Sequence, residues 1–351
     1  SQYFILGEEV ESFEKEIAEY TGTKHAIGVA SGTDALKLSL EAAGVGKGEN
    51  DKVITTPFTY FATAGSIVNA GAEPVFVDIK PDTFNLDPAK LEDLLRSNPS
   101  LQADVKAIIP VHLYGQMADM GPIMEIAEEY NLKVIEDAAQ AIGAEYNDKK
   151  AGSFGAAGCF SFFPTKNLGG YGDGGMVVTD DNQLAEKVRM LRVHGSKEKY
   201  YNEMVGYNSR LDALQAAVLS AKLPYLDKWS KQRAENAQRY EAKLSSVSNI
   251  KTPEVAEDRT HIYHQYTIRV AKGKRDELQE HLDRKNVGTK VYYPLSLHRQ
   301  GCFDDLGYNQ GDFPVSEKAA NEVLSLPIFP ELKEEEINYV CREIKRFMGK
   351  D

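Results

Sequence analysis

The chain has 351 residues, enough for one large domain and a smaller one, and its 42% apolar and 27% charged content is that of a soluble globular protein. Its 41 Lys and Arg against 53 Asp and Glu give a net charge of −12, which argues against nucleic acid or an anionic membrane as partner. Three cysteines (Cys159, Cys302, Cys341) without C-x-x-C or metal-ligand spacing imply a reducing cytoplasm and no metal site, and neither a signal peptide nor a membrane-length apolar run is visible.

Gln2 to Gly7 reads as the middle of a domain, so part of a natural N-terminus is expected to be missing. Val10, Phe13 and Ile17 recur at helical spacing from Glu8 to Tyr20, and Gly22 ends that helix. His25 to Ala30 reads as a strand running into Ser31-Gly32-Thr33 and a helix that ends near Gly44. A strand, a small polar turn and a helix N-terminus make an anion site, because the first helical amides are unpaired, so Gly32 and Thr33 are phosphate candidates. Ser31 as a plain N-cap is an equal reading.

Val53 to Thr56 is the next expected strand, closed by Pro57 and followed by Phe58, Tyr60 and Phe61, which suit either the face of a flat ring or ordinary core packing. Pro74 to Val77, Lys106 to Leu113 and Leu132 to Glu136 continue the strands. Helices are expected from Asp87-Pro88 onward and around Met120 to Tyr130. This alternation predicts an α/β fold with a mostly parallel central sheet spanning residues 25 to 180. Asp137 and Gln140 follow a strand, at the edge where ligands of such sheets bind. Asp137 there needs a cationic or protonated partner, or else serves as a cap.

Cys159 to Phe163 reads as a buried strand stopped by Pro164, which leaves Lys166 where the backbone departs from the sheet. Desolvation favours its neutral amine, the form that attacks an aldehyde; a surface lysine beside a turn is the alternative. Gly170 to Gly175 matches G-x-G-x-x-G but leads into the strand Met176 to Thr179 rather than a helix, so it is not a dinucleotide fingerprint. Its glycines are expected to let the backbone pass close to something bulky over Lys166.

A helix to about Arg192 and a tyrosine-rich loop lead to Gly206-Tyr-Asn208-Ser-Arg210. A long helical stretch from Leu211 to Val247 should then break at Pro224. Strands Tyr263 to Val270 and Thr289 to Tyr293, with helices at Arg275 to Lys285 and from Glu334, predict a smaller C-terminal α/β domain. The expected division is 1–220 and 221–351.

In this order, Gly32-Thr33, Tyr60, Asp137 with Gln140, Ser161 with Lys166, Asn208 with Arg210, and Tyr293-Pro294 through His298 resemble the DegT/StrS family of PLP-dependent sugar aminotransferases, over nearly the whole chain. The resemblance implies the fold type I (aspartate-aminotransferase-like) architecture and a homodimer with shared active sites. It also implies that Lys166 would hold pyridoxal 5′-phosphate as a Schiff base and later move a proton, while Asp137 pairs with the ring nitrogen. Gln140 and Tyr60 would flank the ring. Gly32, Thr33 and Ser161, with Asn208 of the other subunit, would hold its phosphate. Arg210, Tyr293 and His298 would contact the nucleotide sugar, or else serve as interface or folding residues.

Lys166-Asn-Leu-Gly followed by Gly-Asp-Gly-Gly is similar to members that aminate carbon 3, whereas carbon 4 members tend to have a histidine at Phe163 and Thr-Thr after the lysine. The implied reaction passes the amino group of glutamate through pyridoxamine phosphate (PMP) to a UDP-linked 2-acetamido-3-keto-hexuronic acid. A dTDP-3-keto-6-deoxyhexose is the alternative. Many such relatives have histidine where this chain has Tyr292, which leaves the sugar less defined than the reaction. A lyase or desulfurase is disfavoured because Cys159 lies in a buried strand rather than on a mobile loop. A PLP-holding regulator is the non-enzymatic alternative.

Overall fold

The computed structural model describes residues 2–349. Its first helices are α1 (Glu8–Thr21), α2 (Gly32–Ala42), α3 (Ala62–Asn69), α4 (Pro88–Ser97), α5 (Pro99–Asp104), α6 (Met120–Glu129) and α7 (Asn182–Leu191). Between them run the strands β1 (His25–Val29), β2 (Lys52–Thr55), β3 (Glu73–Phe76), β4 (Val105–Ile108) and β5 (Lys133–Asp137). The hairpin of β6 (Glu145–Tyr146) and β7 (Lys149–Lys150) precedes β8 (Ala157–Ser161) and β9 (Gly175–Thr179). A second hairpin, β10 (Ser196–Glu198) and β11 (Tyr201–Asn202), precedes α8 (Ala213–Lys222) and α9 (Leu226–Leu244).

β1 to β5, β8 and β9 form one seven-stranded sheet in the order β1-β9-β8-β5-β4-β2-β3. β8, β5, β4, β2 and β3 are parallel, and β9 alone runs backwards, antiparallel to both β8 and β1. Six strands therefore deliver their carboxyl ends to one edge, and at that edge β9 begins rather than ends. The strands are almost wholly buried because apolar clusters cover both faces, one around Phe13, Ile54, Ile108 and Phe160 and the other around Ile27, Leu38, Ile135 and Val177.

The remainder holds a three-stranded sheet of β12 (Ile250–Lys251), β13 (Tyr266–Val270) and β14 (Val323–Leu326), with α10 (Arg275–Asp283), α11 (Pro314–Glu322) and α12 (Glu334–Met348). It has its own apolar cluster, which stacks Tyr240 on Tyr266 at 4.9 Å. Pro224 breaks the long helical stretch as its chemistry demands, into a 3-10 turn at Leu223–Tyr225.

Several expectations need correction. The β8 strand stops at Ser161, and Phe163 is exposed rather than buried. Thr289 to Tyr293 is not a strand; a single bridge from Lys290 to Ser325 replaces it, and the true third strand is β14, hidden in an uninterrupted stretch of ordinary helix-compatible residues. Tyr263 has a φ of 47°, so β13 starts only at Tyr266. The glycine-rich loop also has a different reason from the one expected. A Cβ on Gly170 would meet Gln215 at 2.7 Å and one on Gly175 would meet the Ser31 carbonyl oxygen at 2.3 Å, so what the loop passes closely is its own chain.

That distinction is measurable. At Gly175 the obstacle is backbone, whereas at Gly172 it is the Gln215 side chain at 3.2 Å, which can move. In denaturant unfolding, Gly175→Ala is expected to lose about 1–3 kcal/mol and Gly172→Ala much less. Equal losses would remove backbone contact as the reason for glycine at 175.

Candidate active site

The carboxyl edge of the sheet collects most of the singled-out residues. Ser31 caps α2, its Oγ accepting the Asp34 amide at 3.1 Å, so the plain cap is real. The amides of Gly32 and Thr33 have no acceptor among the described residues, so the cap leaves the anion site intact. Gly32 lies so close to Ser161 that a Cβ on it would sit 2.7 Å from the serine Cβ. Two phosphate candidates from distant stretches thus meet at one helix end.

Asp137 ends β5 and is buried. Its Oδ2 accepts from Thr63 Oγ1 at 2.7 Å and its Oδ1 from the Ala139 amide at 3.2 Å, and no cation lies within ion-pairing distance among the described residues. Burial pushes its carboxyl above the ordinary carboxylate range, against the opposing pull of the Thr63 and Ala139 hydrogen bonds and the nearby Lys166 and His112.

Lys166 follows β8 by a turn closed through its amide to the Phe163 carbonyl at 2.8 Å. Burial lowers its ammonium from the usual lysine value to about 8, while the Asp137 carboxylate pulls it back up. A larger fraction of it is therefore free amine near neutral pH than of a lysine in water.

Gln140 is fixed at both ends of its amide. Its Oε1 accepts the Tyr114 amide at 2.7 Å, and its Nε2 donates to the Tyr293 hydroxyl at 3.1 Å. The Tyr293 ring stands 6.1 Å from that of Tyr60, which is itself exposed while its neighbour Phe58 is fully buried. Phe58 is thus core packing, while Tyr60 is left accessible.

Asn208 and Arg210 flank buried Ser209, whose hydroxyl donates to Asp34 at 2.7 Å and accepts the Ala30 amide at 3.2 Å. In an extended segment neighbours face opposite ways, and Asn208 is accordingly exposed. Arg210 is half-buried with no hydrogen bond or ion pair among the described residues. His298 is different. It is 2% exposed, hydrogen-bonded to Glu317 at 3.0 Å and packed on Phe313, which fits its reading as a folding residue.

Sequence reading missed three features, two of them residue pairs. Thr63, the hydroxyl on Asp137, sat unnoticed in a small-residue helix. Glu136, fully buried, accepts from Gly152, Phe154 and Gly155 amides and pairs with His112 at 3.0 Å. Asn167 and His264 are joined at 3.1 Å. An acidic residue inside an otherwise apolar strand was the available signal for Glu136; no local pattern marks the other two.

A buried amine and a desolvated carboxylate at the carboxyl edge of such a sheet suit pyridoxal 5′-phosphate chemistry, and the class that the comparisons show is that of the pyridoxal 5′-phosphate-dependent aminotransferases. Within it, the chain belongs to the DegT/DnrJ/EryC1/StrS aminotransferase family, whose model matches residues 1–345. The chain is 56% identical to a "pleiotropic regulatory protein" of Geobacillus stearothermophilus, over 99% of this chain and 91% of the other. It is 45% identical, over 99% and 92%, to a dTDP-3-amino-3,6-dideoxy-alpha-D-galactopyranose transaminase of Aneurinibacillus thermoaerophilus. It is 43% identical, over 96% and 90%, to a UDP-2-acetamido-2-deoxy-3-oxo-D-glucuronate aminotransferase of Pseudomonas aeruginosa. The solved structure of S. venezuelae DesV in complex with a ketimine intermediate superposes with a TM-score of 0.95 at 40% identity, over all of this chain and 92% of that one. The protein is a PLP-dependent sugar-nucleotide aminotransferase, and none of its helices is long and apolar enough to cross a membrane among the described residues.

The lysine's environment makes a pH prediction independent of turnover. In cofactor-free protein, reductive methylation of Lys166, followed by peptide mass mapping, should rise through a midpoint near pH 8, with surface lysines reacting only at higher pH. Because the Asp137 carboxylate holds the ammonium up, Asp137→Asn should move that midpoint lower; an upward shift would contradict the assigned electrostatics.

Proposed function

We propose that this enzyme transfers the amino group of glutamate to the carbon 3 ketone of a UDP-linked 2-acetamido-3-keto-hexuronic acid. The observation that carries the proposal is the lysine segment, Lys166-Asn-Leu-Gly with Gly172-Asp-Gly-Gly, together with the similarity to the glucuronate aminotransferase. The comparable identity to the dTDP-sugar transaminase supports a dTDP-3-keto-6-deoxyhexose as the second reading.

The residues present fit the cofactor. A buried carboxylate without a cation at Asp137 suits a protonated ring nitrogen, and the free Gly32 and Thr33 amides beside Ser161 suit a phosphate. When bound, pyridoxal phosphate supplies an aldehyde for amine capture and a ring that accepts electrons from the adjoining carbon. Asp137 keeps the ring-nitrogen charge in place. Lys166 Nζ takes a proton from the glutamate α-carbon and, in the second half-reaction, delivers one to sugar carbon 3, so that glutamate leaves as 2-oxoglutarate and the ketone becomes an amine. Gln140, held by Tyr114 and Tyr293, and Tyr60 bound the space on either side. Arg210 offers an unpaired guanidinium to an anionic substrate, and Tyr293 the hydroxyl end of a sugar contact. Residues 1–220 would form the cofactor-binding unit and 221–351 the smaller one.

The enzyme is proposed to act as a cytoplasmic homodimer with shared sites. Phe4, Phe163, Tyr171 and Leu214 are exposed on adjoining segments, tied by Ala213 to Phe4 and by Tyr171 to Gln215 hydrogen bonds, which is an apolar patch a second copy would cover. Exposed Asn208 would then reach the partner's phosphate group. If Asn208→Ala and Lys166→Ala are each inactive, mixing them should restore activity, because a shared site leaves one heterodimer site intact. Mixtures that stay inactive while heterodimers form would assign Asn208 to its own subunit's site.

Substrate choice is tested by comparing kcat/KM for UDP-2-acetamido-3-keto-glucuronic acid and a dTDP-3-keto-6-deoxyhexose with glutamate. A bidentate arginine contact to the uronate carboxylate should favour the former by about one to two powers of ten. Preference for the deoxysugar would replace the uronic acid while keeping 3-amination, and reaction only with 4-keto sugars would overturn both. The regulator named among the relatives prompts one control: glutamate alone should bleach the yellow cofactor form, which a mere holder of cofactor would not do.

A further inference from the structure

The Lys166 loop is anchored from outside through the residue that follows the lysine. The next residue, Asn167, is buried, and both ends of its amide are used: Nδ2 donates to the Ile262 carbonyl at 3.2 Å and Oδ1 faces His264 Nδ1 at 3.1 Å. Since Nδ2 is the donor end, Oδ1 must accept, and His264 Nδ1 must carry a proton. Both acceptor and donor belong to the connection leading into β13, almost a hundred residues beyond the lysine.

That connection is itself held firmly. The Ile262 amide donates to the Gly115 carbonyl at 3.0 Å and the Gln265 amide to the Tyr114 carbonyl at 3.3 Å, while His261 and Tyr263 stack at 4.0 Å. Gly115 has a φ of 104°, and a Cβ there would come within 3.0 Å of the His264 amide nitrogen, so the approach is close enough to require glycine. Tyr114 in turn donates its amide to Gln140 and its hydroxyl to the Tyr292 carbonyl. A single short segment, 261–265, thus grips the Lys166 loop on one side and the Gln140 support on the other.

We propose that Asn167 and His264 are positioning residues for the amination reaction: their hydrogen bond holds the Lys166 loop down so that the amine stays in its desolvated place. Neither touches the reacting atoms, and the inference rests on Lys166 being the cofactor lysine. The charged and titratable groups facing the pair are Lys166 and Arg233, which with burial keep His264 neutral, and Asp137, which faces Lys166. A neutral His264 still donates from Nδ1, so the clamp does not depend on imidazole protonation at ordinary pH.

The test uses His264→Ala, His264→Asn and Asn167→Ala, each compared with the native chain. Borohydride reduction of the cofactor-loaded proteins locates the labelled lysine, and pH-dependent reductive methylation of the cofactor-free proteins gives the Lys166 midpoint. The two alanine variants should each raise that midpoint by about one unit, lowering the free-amine fraction at neutral pH about tenfold. The double alanine variant should be no worse than Asn167→Ala alone, because that change already removes the bond to His264. His264→Asn, which restores a donor, should return the midpoint toward native. If the borohydride label falls on another lysine, the site reading fails. If it falls on Lys166 but the midpoint is unmoved in variants with native-like melting, the clamp fails. Should His264→Ala not fold, Asn167→Ala decides the matter, since it breaks the same bond from the surface loop.

Discussion

Everything at the carboxyl edge depends on two opposite charges denied water. Burial lowers the Lys166 ammonium and raises the Asp137 carboxyl, and the charge of each opposes the shift of the other. The fold sustains this by spending several hydrogen bonds on the carboxylate, from Thr63 and Ala139, and none on the amine. An amine left without partners remains available as a nucleophile, whereas a carboxylate held by neutral donors retains its charge for a cation yet to arrive.

The reversed strand explains how the pieces meet. Because β9 starts where its neighbours end, the chain can leave β8 at Ser161, form the Lys166 turn and re-enter the sheet at Gly175 without crossing to the far edge. The closeness of Gly175 to Ser31 and of Gly32 to Ser161 then brings the start of α2 and the lysine loop into one corner.

Much of this was legible in the sequence because it is local. Strand-then-turn signals put Gly32, Asp137, Ser161 and Lys166 at strand ends, and the Pro224 break followed from a missing amide. Parts that depend on distant partners were not legible. Nothing near Thr63 says that it faces Asp137, and nothing near His264 says that it reaches Asn167; both are set by how the sheet stacks its neighbours. His298 carried two readings, sugar contact or folding residue, and its packing on Phe313 and hydrogen bond to Glu317 favour the second. Thr289 to Tyr293 has strand-like residues, but among the described residues only Lys290 pairs with the outer edge of β14, at Ser325, so a single bridge forms rather than a strand.

The pairing of β1 has a consequence for synthesis on the ribosome. His25 is partnered with Thr179, and β1 has no other neighbour in the sheet. At ordinary elongation rates its mate emerges on the order of ten to thirty seconds later. Throughout that interval the nascent chain presents an apolar strand, His25 to Val29, with its amides unpaired, the kind of edge that recruits foreign strands. The N-terminal strand of this enzyme is therefore a place where a chaperone has time to act, and where crowding among neighbouring ribosomes would be felt first.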